Sequence, residues 1–239
     1  MNISILETGK LPETLEKKFG DYTSMFSNLF KEINLPHKLR TYEVTKFQLP
    51  NDPKDSDLWL ITGSSFGVYD NLAWISDIKD LIKQITEEKV PLLGVCFGHQ
   101  ILAEAMGGKV EKSMKGWGIG IHKYDRLTST MWSEKLGKNF SGYASHQDQV
   151  TIIPKDSTSV YGSKFCPHSV LSYGDKEKPN AISIQSHPEF SKDCLRAIIS
   201  RRIGKTIPKS VGKRALESLN VAPDNLKVFR SLLEAIQVI

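Results

Sequence analysis

The chain has 239 residues, of which 39% are hydrophobic and 25% charged, with a formal net charge of +5. These are the proportions of an ordinary globular protein, and the length suits one large core better than two. No apolar run approaches the ~20 residues of a membrane span, which excludes a transmembrane protein.

From the N-terminus, "MNISILETGK" lacks a basic segment followed by an apolar one, so no secretion signal is expected and the location reads as cytoplasmic. Residues 3–6 (ISIL) predict a first strand. Tyr22, Met25, Phe26, Leu29, Phe30 and Ile33 then recur at helical spacing over 21–33, with Asp21 as the N-cap. Strands are predicted at 39–44 and 58–61, a helix over 73–88, and a buried strand at "PLLGV" (91–95). Strands alternating with helices predict an α/β fold whose mostly parallel sheet carries its chemistry at the carboxyl ends of the strands. Gly107-Gly108 stops the next helix. The pattern then changes to short strand-like pieces, "GIGIHKY", "VTIIP", "TSVYG", "SVLSY" and "AISIQS", which predict additional antiparallel strands. Helical spacing returns at 194–202 and at 225–237, where Pro223-Asp224 marks the start. The stretch from Lys205 to Lys213 reads as a linker, dividing the chain into a catalytic domain (1–205) and a C-terminal helical extension (206–239) packed on it.

Residues 192–214 hold eight basic side chains against only Asp193, so the rest of the chain sums to −2. A solvated helix face is the simpler reading, and no nucleic-acid partner is expected. Cys96, Cys166 and Cys194 cannot all pair and are expected as reduced thiols.

The stretch "GVCFGHQ" sets Cys96 between Gly94 and Gly98, after an apolar strand and before a helix. That order predicts a nucleophile elbow, a sharp turn where a Cβ two residues to either side would clash. The helix N-terminus behind it favours thiolate. In "SIQSHPEF", His187 follows a strand-like run and Glu189 lies two residues on, supplying a base and a carboxylate to orient it. Cys96, His187 and Glu189 are therefore the candidate catalytic set.

Together "GVCFGHQ" and "SHPEF" resemble the class I glutamine amidotransferases. "LETGK", "FGDY", "ITGSSFGVYD", "KGWGIG" and "SHQDQV" extend the resemblance to a stand-alone subgroup similar to the amidotransferase half of GMP synthetase, which includes γ-glutamyl peptidases. It covers about residues 1–190. The resemblance implies attack of Cys96 on the side-chain amide of glutamine or a γ-glutamyl compound, proton transfer through His187, orientation by Glu189, and a γ-glutamyl thioester. The oxyanion hole would use the N–H of Phe97 and one at Gly63 or Ser64, where many synthetases carry Gly-Gly-Pro in place of Gly63-Ser64-Ser65. Gln100 and the loop Ser145-His146-Gln147-Asp148 match substrate-contacting positions, with bland alternatives as cleft lining and turn stabilisation. His37, His122 and His168 read as surface or packing residues, and Lys115-Gly116-Trp117-Gly118 as a turn before a strand.

No cofactor or metal is expected. "IGKT" (203–206) lacks the first glycine of a phosphate-binding loop, because position 199 is Ile199. Cys166-Pro-His168 with His187 and Cys194 fits no regular zinc spacing. Two enzyme readings remain open, a glutamine-hydrolysing subunit that serves a separate synthetase and a self-sufficient γ-glutamyl hydrolase or peptidase. A non-catalytic binding or regulatory module is the third.

Overall fold

The computed structural model describes all 239 residues. The strands β1 (Asn2–Glu7), β2 (Lys38–Glu43), β3 (Leu58–Ile61) and β4 (Leu92–Val95) alternate with α1 (Glu13–Phe19), α2 (Tyr22–Glu32) and α3 (Ala73–Glu87). Then come α4 (Phe97–Ala105), β5 (Lys109–Lys112), β6 (Gly118–Arg126), α5 (Met131–Leu136), β7 (Asn139–His146) and β8 (Asp148–Ile152). The chain ends with β9 (Ser157–Gly162), β10 (Val170–Tyr173), β11 (Ala181–Ile184), α6 (Lys192–Arg202), α7 (Lys209–Ser218) and α8 (Asn225–Ala235).

Nine strands form one sheet in the order β2-β1-β3-β4-β11-β10-β9-β6-β7, and β5 pairs with β8 outside it. From β2 through β11 the pairs are parallel; from β11 through β7 they are antiparallel. Side-chain alternation sorts the sheet into two faces. Ile3, Ile5, Leu58, Leu60, Leu93, Val95, Ile182 and Ile184 pack with α2, α6 and α8. Leu6, Trp59, Ile61, Leu92 and Ala181 face α3 and α4. The parallel strands are buried on both sides, which explains their continuous apolar runs.

The Asp21 carboxylate caps α2 by accepting from Ser24 N–H. Thr130 and Ser133 form a reciprocal capping box on α5. The supposed linker instead contains α7. Its buried residues are the small Gly212 and Ala215, so the apolar periodicity is faint. It is held to β6 by Ser218 Oγ, which accepts from Ile121 N–H at 2.9 Å. No helix of the chain is long and apolar enough to cross a membrane.

Candidate active site

Residues 96 and 187 meet because β4 and β11 are parallel neighbours, with Val95 opposite Ile184. Each strand runs straight into its loop, so both loops start side by side at the carboxyl edge of the sheet. The backbone ties them further, because Cys96 N–H donates to Ile184 O at 2.8 Å; His187 N–H donates to Tyr143 O of β7 at 2.8 Å.

Cys96 occupies the turn between β4 and α4 with φ +54°, a strained value for a residue with a side chain. A Cβ at position 94 would lie 2.4 Å from Gly98 O, and one at position 98 would lie 2.4 Å from Ile61 O. Both flanking glycines are thus required by backbone contact.

His187 is buried and held in a fixed plane. Its Nδ1 bonds Glu189 Oε1 at 2.6 Å. Its ring stacks on Phe190 with centroids 4.1 Å apart and planes 5° apart. Burial pushes the imidazole pKa down, but the charges of Cys96 and Glu189 and the hydrogen bond to Glu189 outweigh it and raise the pKa. A Cβ at Gly63 would meet His187 Cε1 at 3.0 Å, Tyr22 Oη at 3.3 Å and Cys96 Cβ at 3.7 Å, which places those groups around one point. The N–H groups of Gly63 and Ser64 donate to no group of the protein.

Cys96 and His187 open into a cavity of about 820 Å³ also lined by Ser64, Gln100, Ser145, His146, Gln147 and Asp148. Of the sequence-predicted set, Glu189, Gly63 and Phe97 are not part of this lining. Gln100 spends its amide nitrogen on Asp148 O at 3.0 Å and Gln185 Oε1 at 3.2 Å, tying α4 to the far wall. His146 Nδ1 donates to Asp148 O at 3.0 Å, the turn-stabilising contact. The Asp148 carboxylate accepts from Tyr69 Oη at 3.0 Å.

Sequence reasoning missed several groups. Tyr22 sits on the apolar face of α2 as periodicity predicts, yet it lines the cavity. The basic cluster is more than a solvated face, because Arg201, Arg202 and Lys205 line the cavity too. Asn225, at the start of α8, donates through Nδ2 to the carbonyls of His187, Pro188 and Phe190 at 3.1–3.3 Å. Among the histidines set aside, His37 packs on Phe30, His122 on Phe165, and His168 bonds Ser159.

A family model described as "Glutamine amidotransferase class-I" matches residues 19–200. The chain belongs to this family. Among relatives, this amidotransferase is 28% identical to gamma-glutamyl peptidase 3 of Arabidopsis thaliana over 90% of its own length and 88% of the relative's. It is 25% identical to a glutamine-hydrolyzing GMP synthase subunit of Methanosphaera stadtmanae over 72% of this chain and 84% of that one. The crystal structure of a glutamine amidotransferase from Thermotoga maritima superposes with a TM-score of 0.75, covering 99% of this chain and 97% of the other at 21% identity. The superposition thus takes in α8, beyond the family model's last matched residue.

Two histidines of this amidotransferase fix a pH dependence of stability. Burial lowers His99 and His146 from 6.5 to about 3. Both stay neutral when folded, so their contribution is complete above pH 6.5 and is lost as pH falls toward 3. At about 1.4 kcal/mol per pKa unit, the two together amount to a loss of up to roughly 7 kcal/mol by pH 4. Glu7 and Asp148, raised by burial, act with the opposite sign at acid pH. Melting temperatures measured from pH 7 to 4 are expected to fall, with a shallower slope in His99→Gln.

Proposed function

We propose that the protein hydrolyses the γ-amide bond of glutamine or a γ-glutamyl compound through a γ-glutamyl thioester on Cys96. The arrangement of His187 between the Cys96 thiol and the Glu189 carboxylate carries this reading. His187 takes the thiol proton as sulfur bonds the amide carbon, and the oxygen of that carbon becomes an oxyanion. The unpartnered N–H groups of Gly63 or Ser64, with Phe97 N–H after the nucleophile, receive it; such donors are typically worth ~3–4 kcal/mol each. Collapse breaks the C–N bond while His187 returns its proton to the departing amine. Water then adds to the thioester, His187 takes a proton from it, and glutamate leaves as the thiol is restored. Glu189 keeps the Nδ1 proton and the ring plane throughout. Gln100, Ser145, His146, Gln147 and Asp148 are the candidate substrate contacts in the cavity wall.

Burial of the nucleophile in a cavity far larger than an ammonia-releasing step needs favours the self-sufficient γ-glutamyl peptidase reading, in line with the Arabidopsis relative. The Methanosphaera relative supports the other, ammonia supply to a separate synthetase. The test is incubation with glutamine, glutathione and γ-glutamyl dipeptides, following glutamate and amine. Hydroxylamine added during turnover is expected to yield γ-glutamyl hydroxamate. Absence of glutamate from every substrate would leave the non-catalytic module. With three free cysteines, we place the reaction in the cytoplasm.

Residues 206–239 belong, on this reading, to the catalytic unit. Asn225 is a positioning residue that clamps the His-Pro-Glu loop. Asn225→Ala is expected to lower kcat about tenfold to a hundredfold, with KM little changed, since small misplacements of a base are costly. Kinetics on a variant whose melting curve remains cooperative checks this.

A further inference from the structure

The cavity wall is charged asymmetrically. Lys10, Lys112, Arg201, Arg202 and Lys205 line it against two carboxylates, Asp70 and Asp148. Lys10 is neutralised by Glu43 at 3.0 Å. The only ion pair within α6 joins Arg196 to Asp193 and leaves Arg201 and Arg202 unmatched. A helix C-terminus stabilises cations near it, which accounts for basic residues in this turn but not for where they point.

Arg202 is the most constrained of them. Its guanidinium lies over the Trp117 ring, 5.3 Å from the centroid. One Nη1 donates weakly to Ser145 Oγ at 3.4 Å. Burial lowers its pKa while the neighbouring Tyr22 and Cys96 raise it, so the groups acting on this charge are those of the reaction centre, with no carboxylate among them. A partly buried, stacked guanidinium with most of its donors unused is a site for a carboxylate, which its planar fork grips with two parallel hydrogen bonds.

Glutamine brings one carboxylate and one ammonium, which leaves the excess positive charge of the wall unanswered. The cavity of about 820 Å³ also lies toward the upper end of the range that encloses drug-sized ligands, well beyond one amino acid. We infer that Arg202 is a specificity-determining residue that binds a carboxylate on the amine half of the substrate, so that the preferred substrates are γ-glutamyl amino acids rather than glutamine. This inference rests on the hydrolase reading above.

The decisive pair of substrates is γ-glutamylglycine and γ-glutamylglycinamide, which differ only in the terminal carboxylate. The wild-type protein is expected to favour the carboxylate by about tenfold to a hundredfold in kcat/KM, mainly through KM, as for one charged hydrogen-bonded contact. Arg202→Gln is expected to erase that ratio. Arg202→Lys, which keeps the charge but not the fork, retains part of it and carries the test should the glutamine variant fail to fold. A wild-type ratio near one, or equal losses on both substrates in the Arg202 variants, overturns the inference; equal losses would mean that Arg202 serves the glutamyl head or the thiol. Calorimetry with γ-glutamylglycine on Cys96→Ala separates the two readings. Arg202-dependent, carboxylate-dependent binding without turnover in the wild type would end the hydrolase reading and the substrate preference that rests on it, leaving Arg202 as the carboxylate contact of a binding site.

Discussion

Replacing Cys96 by alanine is expected to abolish glutamate release, with a loss of about 10⁴- to 10⁶-fold in kcat, the range found when one member of a nucleophile-base-carboxylate triad is removed. The covalent route disappears, because no neighbouring group can take the place of the sulfur. His187 and the free N–H donors remain, so substrate still binds. Folding should survive: the side chain faces the cavity, and alanine meets the same positive φ that cysteine already tolerates. A second readout identifies the thiol directly. Cys166 and Cys194 are pushed up to about 12 by burial and stay protonated at neutral pH. One equivalent of iodoacetamide is therefore expected to inactivate the native protein, and mass spectrometry should locate it on Cys96. Undiminished turnover by Cys96→Ala or by the alkylated protein would refute the mechanism.

Gly98→Ala should be among the most damaging single methyls in the protein. The added Cβ would stand 2.4 Å from Ile61 O and 3.0 Å from Ile61 C, both backbone atoms of β3. Neither can rotate away, so α4 or the strand must shift. Overpacking of a core costs typically 1–3 kcal/mol, and a clash with main chain belongs at or above the top of that range, about 3 kcal/mol or more. Because Gly98 lies two residues after Cys96, the proposed nucleophile, activity should fall further than stability. Gly107→Ala is the control. Nothing lies within 4 Å of its Cβ, but its φ is +91°. It should cost roughly 1–2 kcal/mol from backbone strain alone and leave turnover intact. Chemical denaturation of the two variants gives the comparison.

Much of the parallel half of the molecule is legible in the sequence. Its strands are buried on both faces and its helices α2 and α3 carry large apolar residues at regular spacing, so periodicity is strong. The elbow is legible for a different reason: two glycines at fixed offsets from a cysteine report a steric requirement. The antiparallel half is less so. β7 reads "NFSGYASH", in which glycine, serine and alanine dilute the alternation, and it escapes a reading by pattern. α7 escapes for the same reason, with Gly212 and Ala215 as its buried residues. Pairwise closeness across the chain is not written in local pattern at all. Arg202 looks like any cation at a helix end until β7 and Trp117 are brought beneath it. Asn225 looks like an ordinary first-turn residue until α8 docks against the loop of residues 187–190.

The order of the strands assigns labour within the molecule. Thiol and imidazole descend from two adjoining parallel strands at the centre of the sheet, the least deformable location available. The guanidinium and its aromatic shelf are carried by a helix end and by the approach to β6, which can drift without altering the spacing of sulfur and nitrogen. On the proposed mechanism, a change of leaving group would therefore call for rewriting the periphery while the bond-breaking residues stay as they are.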